Sequence, residues 1–274
     1  MSSLDSHGIL SVIEIAFFSP ILLLSIFLCL RHGFKRESGW LYLLLLSLLR
    51  LIGGACLLYA ETQHSANKNL QITYYVCNSV GTAPLLLLAL FQLMRINTGM
   101  QDKGMPRTFF RPVQLISLVA LIVAIVGSTD FGSSKPKDAQ QGATMSKVSA
   151  ALFLVVYVAI AAITLLTLSR SSHVLSVEHK LLYACVAALP FLLVRIVYSA
   201  AVGFTSSKGS PFYRFGVSIW VQAFMQFAME AVIVLMFMVA GLLTPRMDEQ
   251  HYPVQRQGDV GVEMETGRLA KPGH

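Results

Sequence analysis

Residues 40–60 read WLYLLLLSLLRLIGGACLLYA, twenty-one positions of which one, Arg50, carries a charge. About 20 apolar residues suffice for a helix to cross the roughly 30 Å hydrocarbon core of a bilayer, so this stretch predicts a membrane span. A charge at that depth costs about 3 kcal/mol even on lenient insertion scales, and it marks a functional or a paired position. Three other apolar runs carry one each: Glu14, Arg195 and Glu230. Two acids and two bases sum to zero, which lets a bundle bury all four at once.

Working outward, six more apolar runs of spanning length join Trp40–Ala60: Ile9–Leu30, Ile72–Met94, Val113–Ser128, Val148–Ser169, Leu181–Val202 and Val217–Leu243. Val113–Ser128 is the shortest. The chain is 55% hydrophobic and 13% charged, against about 25% charged for soluble domains. The predicted fold is therefore all-α: a polytopic membrane protein whose residues 1–243 form a seven-transmembrane-helix bundle. Residues 244–274 form a polar, Gly- and Pro-containing tail that reads as disordered. Nucleic-acid partners drop away, and the net charge of +7 speaks of topology and lipid headgroups.

Lysine and arginine set the orientation. The loops after helices one, three and five and the tail hold thirteen: Arg31, Lys35, Arg36, Arg95, Lys103, Arg107, Arg111, Arg170, Lys180, Arg246, Arg256, Arg268 and Lys271. The other side holds six, Lys68, Lys135, Lys137, Lys147, Lys208 and Arg214. This predicts an N-terminus that is lumenal or extracellular and a cytoplasmic C-terminus. No basic residue precedes the first helix, which reads as a signal-anchor. Ser128–Gly142 reads as a flexible outer loop. Cys29, Cys56, Cys77 and Cys185 all fall in apolar segments and read as small buried hydrophobes, although Cys56 and Cys77 approach the same membrane face and a bridge there is conceivable.

Counted from the outer end of each helix at 1.5 Å per residue, Glu14 lies roughly 8 Å deep and Arg195 roughly 11 Å, Arg50 roughly 15 Å and Glu230 roughly 20 Å. Depth thus matches Glu14 to Arg195 and Glu230 to Arg50. Other polar groups gather on the same helices. Asn78 and Thr82 lie a turn apart just before Pro84, which frees a backbone carbonyl. Gln226 shares a helix face with Glu230, flanked by Phe227, with Trp220 and Phe224 further round, and Tyr198 and Ser199 follow Arg195. These positions predict one pocket in the outer half of the bundle. The plainer alternative is a set of buried ion pairs that fix helix register.

Two chemistries suit such a pocket. An unpaired glutamate in apolar surroundings keeps its proton and can act as a general acid, whereas one paired with arginine stays ionised and becomes an anchor. Aromatic rings beside an acid stabilise a developing cation. No histidine lies inside an apolar segment and the seventh helix has no lysine, which argues against a paired-histidine haem and a retinal Schiff base. No metal site and no cofactor motif is expected. The string Leu48-Leu49-Arg50-Leu51-Ile52 is similar to Leu193-Val194-Arg195-Ile196-Val197, a pattern that a parallel repeat of helices one to three onto five to seven would give.

Several local strings resemble a fungal family of seven-helix membrane proteins. They are Glu14-Ile15-Ala16-Phe17-Phe18-Ser19-Pro20, Arg31-His32-Gly33-Phe34 with Ser38-Gly39-Trp40, and Arg50-Leu51-Ile52-Gly53. Gly81-Thr82-Ala83-Pro84-Leu85-Leu86, Arg195-Ile196-Val197-Tyr198 and Met229-Glu230 complete the set. That family is in turn similar to the membrane-bound terpene cyclases of ascofuranone-type meroterpenoid pathways. The resemblance implies acid-initiated cyclisation of a lipophilic, farnesylated and often epoxidised substrate in secondary metabolism. It also implies a prenyltransferase and a flavin monooxygenase upstream, and no cofactor.

On this reading Glu230 or Glu14 donates the proton. Arg50 and Arg195 orient the acids or anchor the substrate, with Asn78, Thr82 and Gln226 beside them. Trp220, Phe224, Phe227 and Tyr198 shape the cavity. The expected location is the endoplasmic reticulum, among membrane lipids. The alternatives are a receptor-like sensor or a proton-coupled transporter. The helix count resembles G-protein-coupled receptors, but Leu93-Met94-Arg95-Ile96 lacks the acid that precedes the arginine in the largest receptor class, and Leu243-Thr244-Pro245 is not its seventh-helix motif.

Overall fold

The computed structural model describes residues 6–32, 39–62, 68–100, 104–131, 135–171, 174, 178–205 and 218–244. The tail after Thr244 and the cationic positions Lys35, Arg36, Lys103, Lys208 and Arg214 lie outside them, as do Gly33, Phe34 and Ser38 of the Arg-His-Gly-Phe string. Seven helices are long and apolar enough to cross a membrane, and they coincide with the seven runs read from the sequence. Among the described residues there is no strand.

The first span is α1 (Ser6–His32) and the second α2 (Trp40–Thr62). The third is broken into α3 (Lys68–Val80) and α4 (Thr82–Gly99). A 3₁₀ turn, Arg107–Phe109, leads into α5 (Phe110–Phe131), followed by α6 (Pro136–Ser169) and α7 (His179–Phe204). The last span starts as α8 (Ile219–Val221), loosens into a π-helical stretch, Gln222–Ala228, and ends as α9 (Met229–Leu243).

Two expectations change. Most of Ser128–Gly142, read as a loop, is helical: α5 runs on to Phe131 and α6 starts at Pro136, with residues 132–134 of that stretch outside the described residues. Proline is well placed in a first helical turn, where its missing N–H is not needed, and the polar residues that follow simply carry α6 beyond the lipid. The third run is one span, Asn69–Gly99, interrupted at the single residue Gly81, whose φ of −56° and ψ of −21° remain helical. Pro84 cannot donate to the Val80 carbonyl, and the interruption falls at Gly81, whose N–H closes α3 on the Cys77 carbonyl at 3.1 Å.

The centre of the bundle is α4, which packs against α2, α5, α6 and α7. All of Thr82–Leu93 is buried, as expected of a helix that is apolar all round. Around it, α1 packs on α2, α2 on α3, α5 on α6, α6 on α7 and α7 on α9. Glycines bring some of these helices close. A Cβ on Gly54 would lie 3.0 Å from Ile15 of α1, and one on Gly53 would lie 2.9 Å from Cys77 of α3. The four cysteines are unbridged.

Candidate functional site

Arg50 on α2 is buried, and each of its side-chain nitrogens is engaged. Its Nε donates to Glu230 Oε1 at 2.5 Å and its Nη2 to Glu230 Oε2. Such a two-pronged arginine–carboxylate contact is the strongest geometry the pair offers. Nη1 donates to Asn78 Oδ1 on α3, and the same oxygen accepts from Gln226 Nε2 at 2.9 Å. The packing is close here: a Cβ on Gly81 would sit 3.3 Å from Arg50 Nη2.

Arg195 on α7 approaches the same carboxylate from the other side, with Nε 3.5 Å from Glu230 Oε2. Its Nη1 donates to Ser199 Oγ at 2.7 Å and its Nη2 to the Asn78 carbonyl at 3.1 Å. Ser199 Oγ lies 3.1 Å from Thr82 Oγ1. The guanidinium stands 5.6 Å from the centre of the Tyr198 ring. Two arginines thus converge on one glutamate.

The pairing of Glu230 with Arg50 is as depth counting predicted. The pairing of Glu14 with Arg195 is not made. Glu14 interacts with Arg50, Glu230 and Arg195 through space, but its Oε1 is buried with no hydrogen-bond partner. Depth along separate helices cannot show which way each side chain is rotated, and Glu230 lies between the arginines instead.

Beside the cluster is a cavity of about 240 Å³. His7, Glu61, Gln71 and Val202 line it near the ends of their helices, where α1 begins, and Arg195, Asn78 and Gln226 line it deeper in. The end of the bundle where α1 begins is therefore its entry face. Tyr74, Tyr75, Tyr198, Ser199 and Gln222 complete much of the wall. Gln222 Nε2 donates to the Tyr74 hydroxyl. Two backbone irregularities, the interruption at Gly81 and the π-helical Gln222–Ala228, carry or adjoin these groups. Non-helical or loosened backbone at membrane depth is tolerated where it is enclosed by protein or lines a cavity, and π turns recur at functional sites.

Of the residues expected at the site, Arg195, Asn78, Tyr198 and Gln226 line the cavity. Arg50, Glu230 and Thr82 stand behind it through hydrogen bonds. The aromatic wall is corrected. Trp220 and Phe224 lie on the outer surface, 71% and 60% exposed. Phe227 packs edge-on against Phe17 and Phe18 of α1, at 5.6 and 6.4 Å between ring centres. Tyr74 and Gln222 were not anticipated. The spacing Gln222, Gln226, Glu230 holds the signal for the second, and Tyr74 precedes Asn78 by the same four residues.

Fold and site together define a multi-pass seven-helix membrane protein with a buried arginine–glutamate cluster at the foot of a polar cavity. The chain belongs to the family described as domain of unknown function DUF7702, whose model matches residues 4–247. No curated protein matches it.

Proposed function

We propose that this protein is a receptor-like membrane protein that binds a small polar molecule in its entry-face cavity. The observation that carries the reading is the cavity floor, where Arg195, Asn78 and Gln226 belong to the same hydrogen-bonded network as the Arg50–Glu230 pair. A ligand on these groups competes directly with contacts that join α2, α3, α7 and α9. The distribution of Lys and Arg orients the cavity toward the lumenal or extracellular side, and the endoplasmic reticulum is the compartment we assign.

The test is ligand-induced stabilisation of the purified full chain in nanodiscs, using a panel of small polar molecules. A binder should raise the unfolding midpoint of the wild type and not of Ser79→Phe, which fills the cavity without touching the charge cluster. Absence of any binder, or equal shifts in both proteins, would remove this reading.

A second reading, acid-initiated cyclisation of a farnesylated substrate, draws on Glu14. A buried carboxyl with an unpartnered oxygen suits a proton donor, whereas Glu230 is held by two arginines and suits an anchor. Against it, 240 Å³ is below the roughly 300–1,000 Å³ typical of drug-sized ligands, so a farnesylated substrate requires the cavity to widen. Microsomes bearing the chain, given a farnesylated phenol with and without a terminal epoxide, decide this. An isomer of unchanged mass, lost in Glu14→Gln, is the cyclase outcome, and no conversion discards it.

A further inference from the structure

The four charges are not equally satisfied. Arg50 spends every nitrogen on Glu230 and Asn78. Arg195 is held less closely: its Nε stands 3.5 Å from Glu230 Oε2, at the outer limit of a hydrogen bond, and its other contacts are the neutral Ser199 hydroxyl and Asn78 carbonyl. Among the described residues, the one carboxylate within ion-pair reach is that of Glu230, whose Oε2 already accepts from Arg50. Of the two arginines, Arg195 alone lines the cavity. The remaining acid, Glu14, is 1% exposed, with Oε1 unpartnered, and it is not part of the cavity wall.

We propose that the cavity binds a small carboxylate together with one proton, the carboxylate resting on Arg195 and the proton on Glu14. This deepens the reading of the cavity as a ligand site and rests on it. The argument is a charge count. With both glutamates ionised the quartet is neutral, and an anion entering beside Arg195 leaves a buried excess of one negative charge. Uncompensated charge in a low-dielectric interior is expensive. Glu14 is the group that can remove it, because Glu230 is fixed between two guanidiniums and no donor holds Glu14 Oε1 in the ionised form. The charged and titratable groups around Glu14 are Arg50 of α2, Tyr74 of α3, Arg195 of α7 and Glu230 of α9, with His7 and Glu61 at the cavity mouth. The proton comes from water, no covalent bond other than O–H forms, and the coupling is reciprocal: acid favours the anion and the anion favours protonation. The tyrosines at positions 74, 75 and 198 suit the ring of an aromatic acid, and the cavity volume suits a molecule the size of benzoate.

The experiment is titration calorimetry of the full chain in nanodiscs with sodium benzoate from pH 5.5 to 8, where benzoate stays ionised. Two buffers of different ionisation enthalpy report the protons taken up. At the alkaline end of the range wild type should take up close to one proton per benzoate, with affinity rising up to about tenfold per pH unit of acidification, and both uptake and slope should fall away as Glu14 becomes protonated before benzoate binds. Glu14→Gln, a mimic of the protonated acid, should bind at the low-pH affinity throughout and take up no proton. Arg195→Gln should lose about a hundredfold or more in affinity, while Arg195→Lys should retain part of it. Should Arg195→Gln not fold, the proton count in wild type and in Glu14→Gln still decides. Benzoate binding without proton uptake overturns the proposal, as does an unaltered pH slope in Glu14→Gln or binding of chloride in place of carboxylates. Binding of neutral benzamide but not benzoate overturns it while leaving the cavity a ligand site. Binding of neither benzoate, benzamide nor any other polar probe overturns both.

Discussion

In the entry-face half of the bundle Arg50, Arg195 and Glu230 meet side chain to side chain beside a cavity, whereas at the opposite end Arg95, Glu178 and His32 join helix termini. At the far face Arg95 Nε stands 3.7 Å from Glu178 Oε1, and Arg95 Nη1 lies 3.5 Å from His32 Nδ1. His32 Nε2 lies 3.2 Å from the Gly241 carbonyl, and Arg31 donates to the Leu242 carbonyl at 3.0 Å. Arginine can only donate and a carbonyl can only accept, so the tautomer that serves both contacts carries its proton on Nε2. The Arg31 cation at the end of α9 also complements the partial negative charge of a helix C-terminus. The far-face group therefore explains itself as a clasp between α1, α4, α7 and α9. The entry-face cluster does not, because helix packing alone needs no cavity beside it; an unpartnered carboxylate oxygen occurs in both regions, as Glu14 Oε1 and Glu178 Oε2. On the proposed reading, the difference separates charge that holds a fold from charge that serves a ligand.

The largest effect expected of any single change is at Glu230. Replacement by Ala leaves two buried guanidiniums facing each other, and breaking a buried pair in this way costs about 3–5 kcal/mol. Unfolding in detergent should show this loss, with Glu178→Ala at the far face costing distinctly less. Equal losses would erase the distinction between the two regions.

Second in size is the packing beneath the clasp. Trp40 is fully buried, and a Cβ on Gly241 would lie 2.4 Å from its ring. Gly241→Leu should destabilise by about 1–3 kcal/mol, the usual cost of overpacking, and Trp40→Leu in the same chain should recover part of the loss. Failure of the second change to help would mean that Gly241 is required for its backbone and not for Trp40.

What the sequence disclosed, and what it hid, follows from the reach of each signal. All seven spans were legible because hydropathy is local and additive along a helix. Glu230–Arg50 was legible because the deeper acid and the deeper base have few other partners in lipid. The rotation of a helix about its axis is not local. Trp220 and Phe224 share the span of Gln226 and Glu230, yet they point outward, and the π-helical stretch between them shifts every later side chain relative to a regular helix. The interruption at Gly81 was half-visible: Pro84 announced a lost hydrogen bond, but only the packed bundle shows that Gly81 packs closely against Arg50. The helical extensions through Ser128–Gly142 were hidden because polar residues outside lipid read the same in a loop and in a helix end.

A smaller effect belongs to acidity at the far face. Burial pushes the Glu178 carboxyl up to about 7 from its ordinary 4.5, with Arg95 pulling the other way. Between those two values the folded protein holds a proton that the unfolded chain has released. The contribution of this group to stability therefore rises as pH falls from about 7 toward 4.5, and it is a cost above 7. Midpoints measured across that range should be more pH-dependent in wild type than in Glu178→Gln. Superimposable curves would show that the clasp does not titrate there.

The smallest effect is expected where the sequence first suggested the most. Trp220 and Phe224 stack on each other at 6.3 Å on the lipid-facing side of the last span, and a tryptophan near a helix end is at home at the membrane interface. Trp220→Ala and Phe224→Ala should each change stability by no more than about 0.5 kcal/mol and leave cavity binding unaltered. Gln226→Ala, two residues along the same π-helical stretch from Phe224, should weaken binding because it removes a donor to Asn78. A binding loss in Phe224→Ala as large as in Gln226→Ala would mean that the span rotates in the membrane, bringing its aromatic face to the cavity. That would return the aromatic wall, and with it a cation-stabilising chemistry, to the site.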